Sequence, residues 1–371
     1  MTKPQEAVTA PRFQLADFAP LISLGTLILV FSLLASDFLS LGTLTLILKQ
    51  GSVLAIVATG LTFVLLCAEI DLSVGNVALL SACLCGVLWE SQFAAGPKQV
   101  NGAENVSWLT LAFVILAPLV LAVVIGLLSG YLTISSGLPS FIITLAMMNI
   151  AKGLARFLTH GQTYTVPPVF EQLGNSRWNL ISDPRFGTLA IPQIAVLAAI
   201  VMMAAHLVLQ HTRFGRYVYM TGGNRQAAML AGIRTERIVI ACLAICAFTS
   251  ACGGMLTAGR MGGATVNQNV DLLLDAVACV VLGGTSLFGG EGSIGRTLIG
   301  VLSFTVLTVG LNLTNVERLI KKMPLSPGLK EVWLKASWVT EFDQLRPFLL
   351  GIVLMLALVI HGQLVKRRRD S

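Results

Sequence analysis

The chain has 371 residues, of which 55% are hydrophobic and only 12% are charged. Soluble domains carry about 25% charged residues, so this composition excludes an ordinary soluble globular protein and indicates a chain embedded in a lipid bilayer. The formal net charge of +7 lies largely in loops and in the C-terminal tail, where membrane orientation accounts for it, and does not indicate binding to nucleic acid.

Long runs without Asp, Glu, Lys or Arg divide the chain into predicted membrane segments, since a spanning helix needs about 17–25 apolar residues. These runs cover residues 18–36, 50–68, 72–89, 105–151, 187–212, 238–259, 297–316 and 347–365. Run 105–151 is long enough for two crossings, with a break near Gly130 and 137–139. Segment 276–290 is short for a crossing and predicts a shorter, broken or tilted helix. We therefore predict an all-α polytopic membrane protein with about ten transmembrane helices, in one domain over residues 18–365.

The distribution of basic residues predicts the orientation of these helices. Segment 212–237 holds five arginines and one acidic residue, so the positive-inside rule places it in the cytoplasm together with the basic tail, 366–371. Six crossings before this segment and four after it put both the N-terminal tail, 1–17, and the C-terminus in the cytoplasm. The polar segment 314–346 then falls on the periplasmic side although it is also basic, which conflicts with the same rule.

Two acidic residues, Glu69 and Asp71, lie between the second and third apolar runs. We predict that the second helix begins at Lys49 and ends at these acids, and that 72–76 opens the third helix. A charged side chain at the centre of a membrane helix costs about 2.5–3.5 kcal/mol on insertion scales. These carboxylates are therefore expected to face a polar cavity, a partner or a helix end.

Three roles are open for this acidic motif. Asp71 followed by Ser73 is typical of a helix N-cap, in which the acid compensates the positive end of the helix dipole. The carboxylates could instead contact the transported solute directly, or serve in gating or packing. Gly75 would allow another backbone to approach closely.

The basic segment contains a second candidate site. Residues 222–224 (Gly-Gly-Asn) predict a turn and a cap, and 225–231 is helix-prone and ends at Gly232. The result is a short amphipathic helix on the cytoplasmic side. Its apolar residues Met229 and Leu230, with Ala227, would be exposed unless a protein partner or lipid headgroups cover them.

Motifs for nucleotide binding and catalysis are absent from the sequence or lack their context. Residues 290–295 match G-x-G-x-x-G, but they lie between two membrane segments rather than in a βαβ unit. The surrounding run, 283–290, is better explained as an irregular turn where helices approach closely. No Walker A sequence, zinc-type cluster or nucleophile elbow occurs, and the seven cysteines all lie in apolar runs, as buried thiols do. The sequence therefore predicts a transporter rather than an enzyme, with no metal site.

Four stretches of the sequence occur together in an order typical of one family. They are 69–75 (EIDLSVG); 138–146 (LPSFIITLA) with 153–155; 212–217 (TRFGRY) through 222–224 and 231–233; and 274–276 (LDA) through 281–286 (VLGGTS) and 310–312 (GLN). Through these stretches the chain resembles the membrane permease subunits of bacterial ABC importers for monosaccharides, of the ribose, xylose and galactoside type.

The resemblance implies an all-helical ABC-importer permease of the bacterial inner membrane, which pairs with a second copy or a related permease and holds the pathway between the two subunits. It also implies a periplasmic sugar-binding protein and a cytoplasmic ABC ATPase, so that ATP and Mg²⁺ bind the ATPase and no cofactor binds this chain. The residues then expected to couple to the ATPase are Gly223, Asn224, Arg225, Ala227, Met229, Leu230 and Gly232. Those expected in the pathway or the intramembrane motif are Glu69, Asp71, Ser73, Gly75, Thr144, Asp275 and Asn312.

The chain departs from the family pattern after Asn312, where the polar segment 314–346 precedes the last apolar run. We hypothesise that this segment forms an extra amphipathic helix that contacts the binding protein or the membrane surface. The alternative function is a proton-coupled secondary transporter in which Glu69 or Asp71 carries protons. A carrier independent of ATP, however, has no evident use for a cytoplasmic helix that exposes apolar residues.

Overall fold

The computed structural model describes residues 18–35, 37–91, 107–183, 187–269 and 271–314, together with Ile320 and a few positions between 345 and 355. The tails 1–17 and 366–371 lie outside the described residues, as does almost all of segment 314–346 and of the last predicted crossing, 347–365. In chain order the elements are α1 (Ala19–Leu34), α2 (Leu41–Leu66), α3 (Val74–Ser91), α4 (Trp108–Ser136), α5 (Ser140–Thr159), α6 (Pro168–Asn175), β1 (Arg177–Asp183), β2 (Gly187–Pro192), α7 (Gln193–His211), α8 (Arg213–Gly223), α9 (Arg225–Leu230), α10 (Thr235–Met261), α11 (Leu272–Leu282) and α12 (Ile294–Leu313).

Seven of the described helices are long and apolar enough to cross a membrane: α2, α3, α4, α5, α7, α10 and α12. Two further apolar helices, α1 and α11, are shorter, at 16 and 11 residues. The prediction of a polytopic helical membrane protein is therefore confirmed. The total of about ten helices stays a prediction, because the last apolar run lies almost entirely outside the described residues.

The break predicted within the long run 105–151 is confirmed at one of its two positions. Gly137 adopts a left-handed conformation, with φ of 68°, and ends α4, and Pro139 precedes the first residue of α5. The helix does not break at Gly130, and that prediction was wrong. A Cβ atom at Gly130 would lie 2.7 Å from Cα of Ile240, so this glycine serves close packing of α4 on α10 rather than a turn.

Helix α10 lies at the centre of the bundle and packs against α2, α3, α4 and α6. Small residues allow the helix backbones to approach closely. Close approach matters because helix association in a membrane depends on van der Waals contact rather than on the hydrophobic effect. A Cβ atom at Gly254 would collide with the carbonyl of Ala78 on α3, and one at Gly60 of α2 would lie 2.9 Å from Cα of Cys246. Helices α2, α3, α10 and α12 therefore contribute much of the buried core.

The second crossing begins earlier than predicted. Ser40, not Lys49, marks its start, because the Ser40 side chain accepts a hydrogen bond from the Thr43 backbone N–H at 3.1 Å and caps α2. Lys49 lies inside the helix, where its Nζ donates to Oδ1 of Asn175 at 2.9 Å. A charged residue that has a hydrogen-bonding partner within the protein can lie inside a membrane helix. A helix can therefore be longer than the charge-free run from which it was predicted.

A small antiparallel hairpin, β1–β2, departs from the all-α prediction. Its register runs from Arg177 opposite Pro192 to Asp183 opposite Gly187. The uncharged run 187–212 therefore begins with a strand, and the crossing itself starts only at Gln193, directly after Pro192. Apolar content alone could not separate the strand from the helix that follows it, because short apolar runs fit both.

The segment between α10 and α11 returns into the bundle before the next helix begins. Ala264 pairs with Tyr164, whose Cβ lies 2.8 Å from the position a Cβ would take at Gly86. Asn269 lies against Gly75 instead, with its carbonyl oxygen 3.0 Å from the corresponding position. These two glycines are about 16 Å apart along α3, at 1.5 Å per residue. Helix α11 therefore starts inside the bundle. A short helix is present as predicted, but it covers Leu272–Leu282 rather than 276–290.

Candidate functional site

Three non-adjacent segments meet at the end of the bundle that carries α8 and α9, which we call the Arg-rich end. They are the α2–α3 break (67–73), the helices α8 and α9, and the glycine loop (283–293). The backbone N–H of Gly290 donates to the carbonyl of Leu66 at 3.0 Å, and the hydroxyl of Tyr219 donates to the carbonyl of Gly292 at 2.9 Å. We call this meeting point the junction.

The junction contains several glycines because its backbone segments lie too close together to leave space for side chains. A Cβ atom at Gly222 would collide with the carbonyl of Leu66, and one at Gly289 would lie 2.7 Å from Cβ of Ala68. Gly289 and Gly290 also have positive φ values, of 85° and 73°, a region that favours glycine. The interpretation of run 283–290 as an irregular turn at a close helix approach is confirmed.

Within the α2–α3 break, Asp71 caps the start of α3. Its Oδ1 accepts hydrogen bonds from the backbone N–H of Ser73 at 2.8 Å and from the Ser73 hydroxyl at 2.6 Å. Asp71 and Ser73 are each only 2% exposed, and the thiol of Cys246 on α10 lies beside the same carboxyl group. An acceptor at this position satisfies a donor that the helix start leaves free.

Side chains of α5 hold the remaining backbone of the break. The Ser140 hydroxyl accepts a hydrogen bond from the backbone N–H of Ile70 at 3.0 Å, and the Thr144 hydroxyl accepts one from that of Leu72 at 3.0 Å. Non-helical backbone at membrane depth requires such partners, because lipid supplies none. These contacts favour a structural role for Thr144.

The structure brings the two predicted sites together through one ion pair. Nη1 of Arg225, the first residue of α9, lies 2.8 Å from Oε1 of Glu69 in the α2–α3 break. The Glu69 side chain is 10% exposed and that of Arg225 40%. A hydrogen-bonded arginine–carboxylate pair that is partly buried is stronger than a pair at the protein surface. Helix α9 is therefore tied to the start of the membrane motif.

Helix α9 presents apolar side chains outward. Oδ1 of Asn224 caps it by accepting a hydrogen bond from the Ala227 N–H at 2.9 Å, and Gly232, with φ of 81°, follows its end. Leu230 is 91% exposed and Met229 is 50% exposed. The predicted helix and its exposed apolar residues are confirmed.

The predicted turn at residues 222–223 was wrong. Gly222 and Gly223 are the last residues of α8 (Arg213–Gly223), a helix that was not predicted from the sequence. The helix ends because Asn224 is extended, with φ of −157°, and caps α9 instead. Glycine therefore serves contact with Leu66 here rather than chain reversal.

The other predicted pathway residues are not gathered at the junction. Gly75 touches the chain near Asn269, as the expected close backbone approach requires. Asp275 belongs to α11, two residues beyond Leu273, which also touches Gly75. Asn312 lies near the far end of α12, which starts at the junction and runs away from it. The structure therefore joins Glu69, Asp71, Ser73 and Thr144, and it places Asn312 near the opposite end of α12.

A cleft of about 360 Å³ opens beside the ion pair. Its lining includes Glu69, Arg225, Met229, Glu236 and the loop 137–139. Among the residues that the structure describes, no group of three His, Cys, Asp or Glu side chains could hold a metal ion. The ion pair and the cleft thus connect the surface helix α9 with the α2–α3 break and the loop 137–139.

Replacement of Asp71 provides a test of its structural role. Asp71→Ala removes the acceptor for both Ser73 donors, and loss of such a cap costs about 0.5–2 kcal/mol. We expect a lower yield of folded, detergent-extracted protein for Asp71→Ala, with Asp71→Asn less affected because its amide oxygen still accepts. Size-exclusion chromatography and a thermal-shift assay measure this. An unchanged yield combined with altered solute preference would contradict the structural role.

Comparison with known sequences identifies the family. The sequence profile described as "Branched-chain amino acid transport system / permease component" matches residues 43–358. The ribose import permease protein RbsC of Escherichia coli strain K12 is 35% identical over 297 residues, which cover 80% of this chain and 86% of the relative. The galactose/methyl galactoside import permease protein MglC of Haemophilus influenzae is 31% identical, covering 78% of this chain and 85% of the relative.

A third relative matches over more of the chain. The autoinducer 2 import system permease protein LsrC of Photorhabdus luminescens is 28% identical over 349 residues, covering 94% of this chain and 90% of the relative. No solved structure gave a significant match. Because the family profile covers most of the chain and relatives above 30% identity cover most of their own length, the chain belongs to this family of membrane permease components and is a transport subunit rather than an enzyme.

Proposed function

We propose that this chain is the membrane-spanning subunit of an ATP-driven importer for a ribose-like monosaccharide. A periplasmic binding protein delivers the sugar, and a cytoplasmic ABC ATPase binds ATP and Mg²⁺ and supplies the energy. A second copy of the chain, or a related permease, completes the pathway. The subunit lies in a bacterial inner membrane, and the proposal keeps about ten helices with both termini in the cytoplasm.

The relatives support the choice of a sugar. Their names describe import of ribose, of galactose and methyl galactoside, and of fructose. The match to the ribose permease of Escherichia coli extends over 80% of this chain. A pentose such as ribose is therefore the first solute to test.

The observation that carries the proposal of ATP coupling is the exposed apolar surface of α9 joined to Glu69. Leu230 and Met229 are 91% and 50% exposed and form an apolar surface on a segment rich in arginine. A protein partner with an apolar groove would cover this surface. Arg225 on the same helix holds Glu69 at 2.8 Å. Movement of a docked partner would therefore act directly on the α2–α3 break.

The proposed coupling is a two-state rearrangement. Closure of the ATPase moves α8 and α9 as one unit, and the ion pair transmits the displacement to Glu69 while the Gly222–Leu66 contact transmits it to the end of α2. Since the core of the bundle is close-packed, a small shift at this end favours a different arrangement of helices rather than a local deformation. The pathway then opens to one side and afterwards to the other.

Reconstituted vesicles test the function. We expect vesicles containing this chain, its ATPase and its binding protein to accumulate labelled ribose or another monosaccharide only during ATP hydrolysis. A non-hydrolysable ATP analogue should stop uptake, and a proton ionophore should leave it unchanged. Uptake by this chain alone, driven by a pH gradient, would contradict the proposal and support the proton carrier with Glu69 or Asp71.

A further inference from the structure

Helix α5 carries a polar face that its own protomer does not cover. It packs against α3 and α4, with Thr144, Ala151 and Ala155 buried on the packed side. Asn149, Lys152 and Arg156 are all exposed. At 100° per residue these three positions fall within one stripe, opposite the packed side. We call this the α5 stripe.

The α5 stripe is surrounded by apolar surface on the same helix. Ile150 and Phe157, on one flank of the stripe, are 59% and 71% exposed, as suits side chains in contact with lipid. Towards the Arg-rich end the stripe continues into Ile142 and Leu145, which are also exposed. The exposed polar and charged side chains of α5 are thus confined to one face, in the half of the helix that lies far from the junction.

The cations of the α5 stripe have no ionic partner among the residues that the structure describes, where the one ion pair is Arg225–Glu69. Asn149 uses its Nδ2 to donate to the carbonyl of Leu145 at 3.0 Å, which leaves Oδ1 as an acceptor. Lys152 contrasts with Lys49 of α2, which lies in a membrane helix but donates to Asn175 within the protein.

Depth in the membrane decides what can cover the stripe. Arg156 lies near the end of α5, from which a long side chain can reach the headgroups. Asn149 lies about 15 Å from that end at 1.5 Å per residue, too far for its short side chain. A polar and charged face at this depth is expected to meet a water-filled cavity rather than lipid.

We propose that the α5 stripe lines the sugar pathway, with the opposite wall supplied by the second permease subunit. This inference rests on the proposed function for its solute. Sugar hydroxyls both donate and accept hydrogen bonds, so Oδ1 of Asn149 accepts from one hydroxyl while the ammonium of Lys152 and the guanidinium of Arg156 donate to others. The face turned away from the bundle is then the face that contacts the solute.

Cysteine labelling in vesicles that contain the complete transporter tests water access. The variants N149C, K152C and R156C are compared with I150C and F157C, using a membrane-impermeant cationic methanethiosulfonate reagent. The unsubstituted chain sets the background, because six of its seven cysteines are buried and the other is half-buried. We expect labelling at 149 and 152 at least about tenfold faster than at 150 and 157, and slower when ribose saturates the transporter.

Uptake measurements provide the second arm. K152M should lower ribose uptake about tenfold to hundredfold, the factor expected when a hydrogen bond to a charged group is lost, at an unchanged amount of membrane-inserted protein. K152R should retain most uptake. K49M is the matched control, a membrane lysine whose loss should reduce folded yield rather than the apparent affinity for sugar.

The outcomes separate this proposal from the proposed function. Equal, slow labelling of stripe and flank positions, or labelling at 156 alone, would overturn the pathway assignment even if the unsubstituted transporter imports ribose. Labelling at 149 and 152 in a transporter that imports none of the monosaccharides tested would support the pathway assignment and reject the sugar.

Discussion

Replacement of Met229 and Leu230 by Asp should abolish ATP-driven uptake without preventing membrane insertion. Both side chains are exposed on α9, so neither supports the fold of this chain, and an introduced carboxylate stays in water until a partner docks. An anchor residue at a protein interface contributes about 2–4 kcal/mol, and burial of an unpaired carboxylate there adds a further penalty. We expect association with the ATPase to weaken at least about 100-fold, equivalent to about 3 kcal/mol.

Copurification of the tagged permease with its ATPase measures this effect, together with ATP-dependent ribose uptake. The control is Gln226→Asp, which adds one carboxylate at an exposed polar position of α9 and should leave both measurements nearly unchanged. Normal uptake by the Met229→Asp/Leu230→Asp variant would show that α9 is not the docking helix. Loss of membrane insertion in that variant would show that these residues contact lipid instead.

Loss of Arg225 should reduce uptake strongly, and removal of its partner as well should restore part of it. In Arg225→Gln, the carboxylate of Glu69 loses its positively charged partner. This carboxylate stays largely buried, since the Glu69 side chain is 10% exposed. Removing one partner of such a pair is more harmful than removing both, because the remaining charge stays desolvated. The Glu69→Gln/Arg225→Gln variant should therefore be more active than Arg225→Gln.

A double-mutant cycle on ATP-dependent uptake quantifies this coupling. Residues in direct contact typically show interaction energies of about 0.5–3 kcal/mol, and we expect a value in that range for this pair. Arg234→Gln is the control, since Arg234 is exposed in the same basic segment and should tolerate the change. Strictly additive effects of the two substitutions would mean that the ion pair does not transmit force from α9 to the α2–α3 break.

Local sequence patterns predicted much of the helical framework. The charge-free runs located each membrane helix in the described part of the chain, because apolar length is the requirement that the bilayer imposes. Asn224, followed by a short apolar segment and Gly232, predicted α9 from capping chemistry that acts within a few residues. The acid–serine pair at Asp71 and Ser73 is equally local, and its capping geometry was foreseeable.

Helix ends that depend on distant partners were not predictable in this way. Lys49 immediately precedes the charge-free run 50–68, yet it lies inside α2, where Asn175 accepts its hydrogen bond. The run 105–151 stopped at Lys152, although α5 continues to Thr159 with Lys152 on its exposed polar face. In both helices a side chain far along the chain, or the environment of one face, determines whether charge is tolerated.

The composition and spacing of residues were sufficient to establish a helical membrane protein with an acidic motif and a basic, partly apolar loop helix. Only the tertiary structure showed that Arg225 and Glu69 form one ion pair across 156 positions of sequence, and that α5 exposes its polar stripe. Capping and apolar length act within a few turns, whereas the pairing of charges and the exposure of a helix face depend on how whole helices pack.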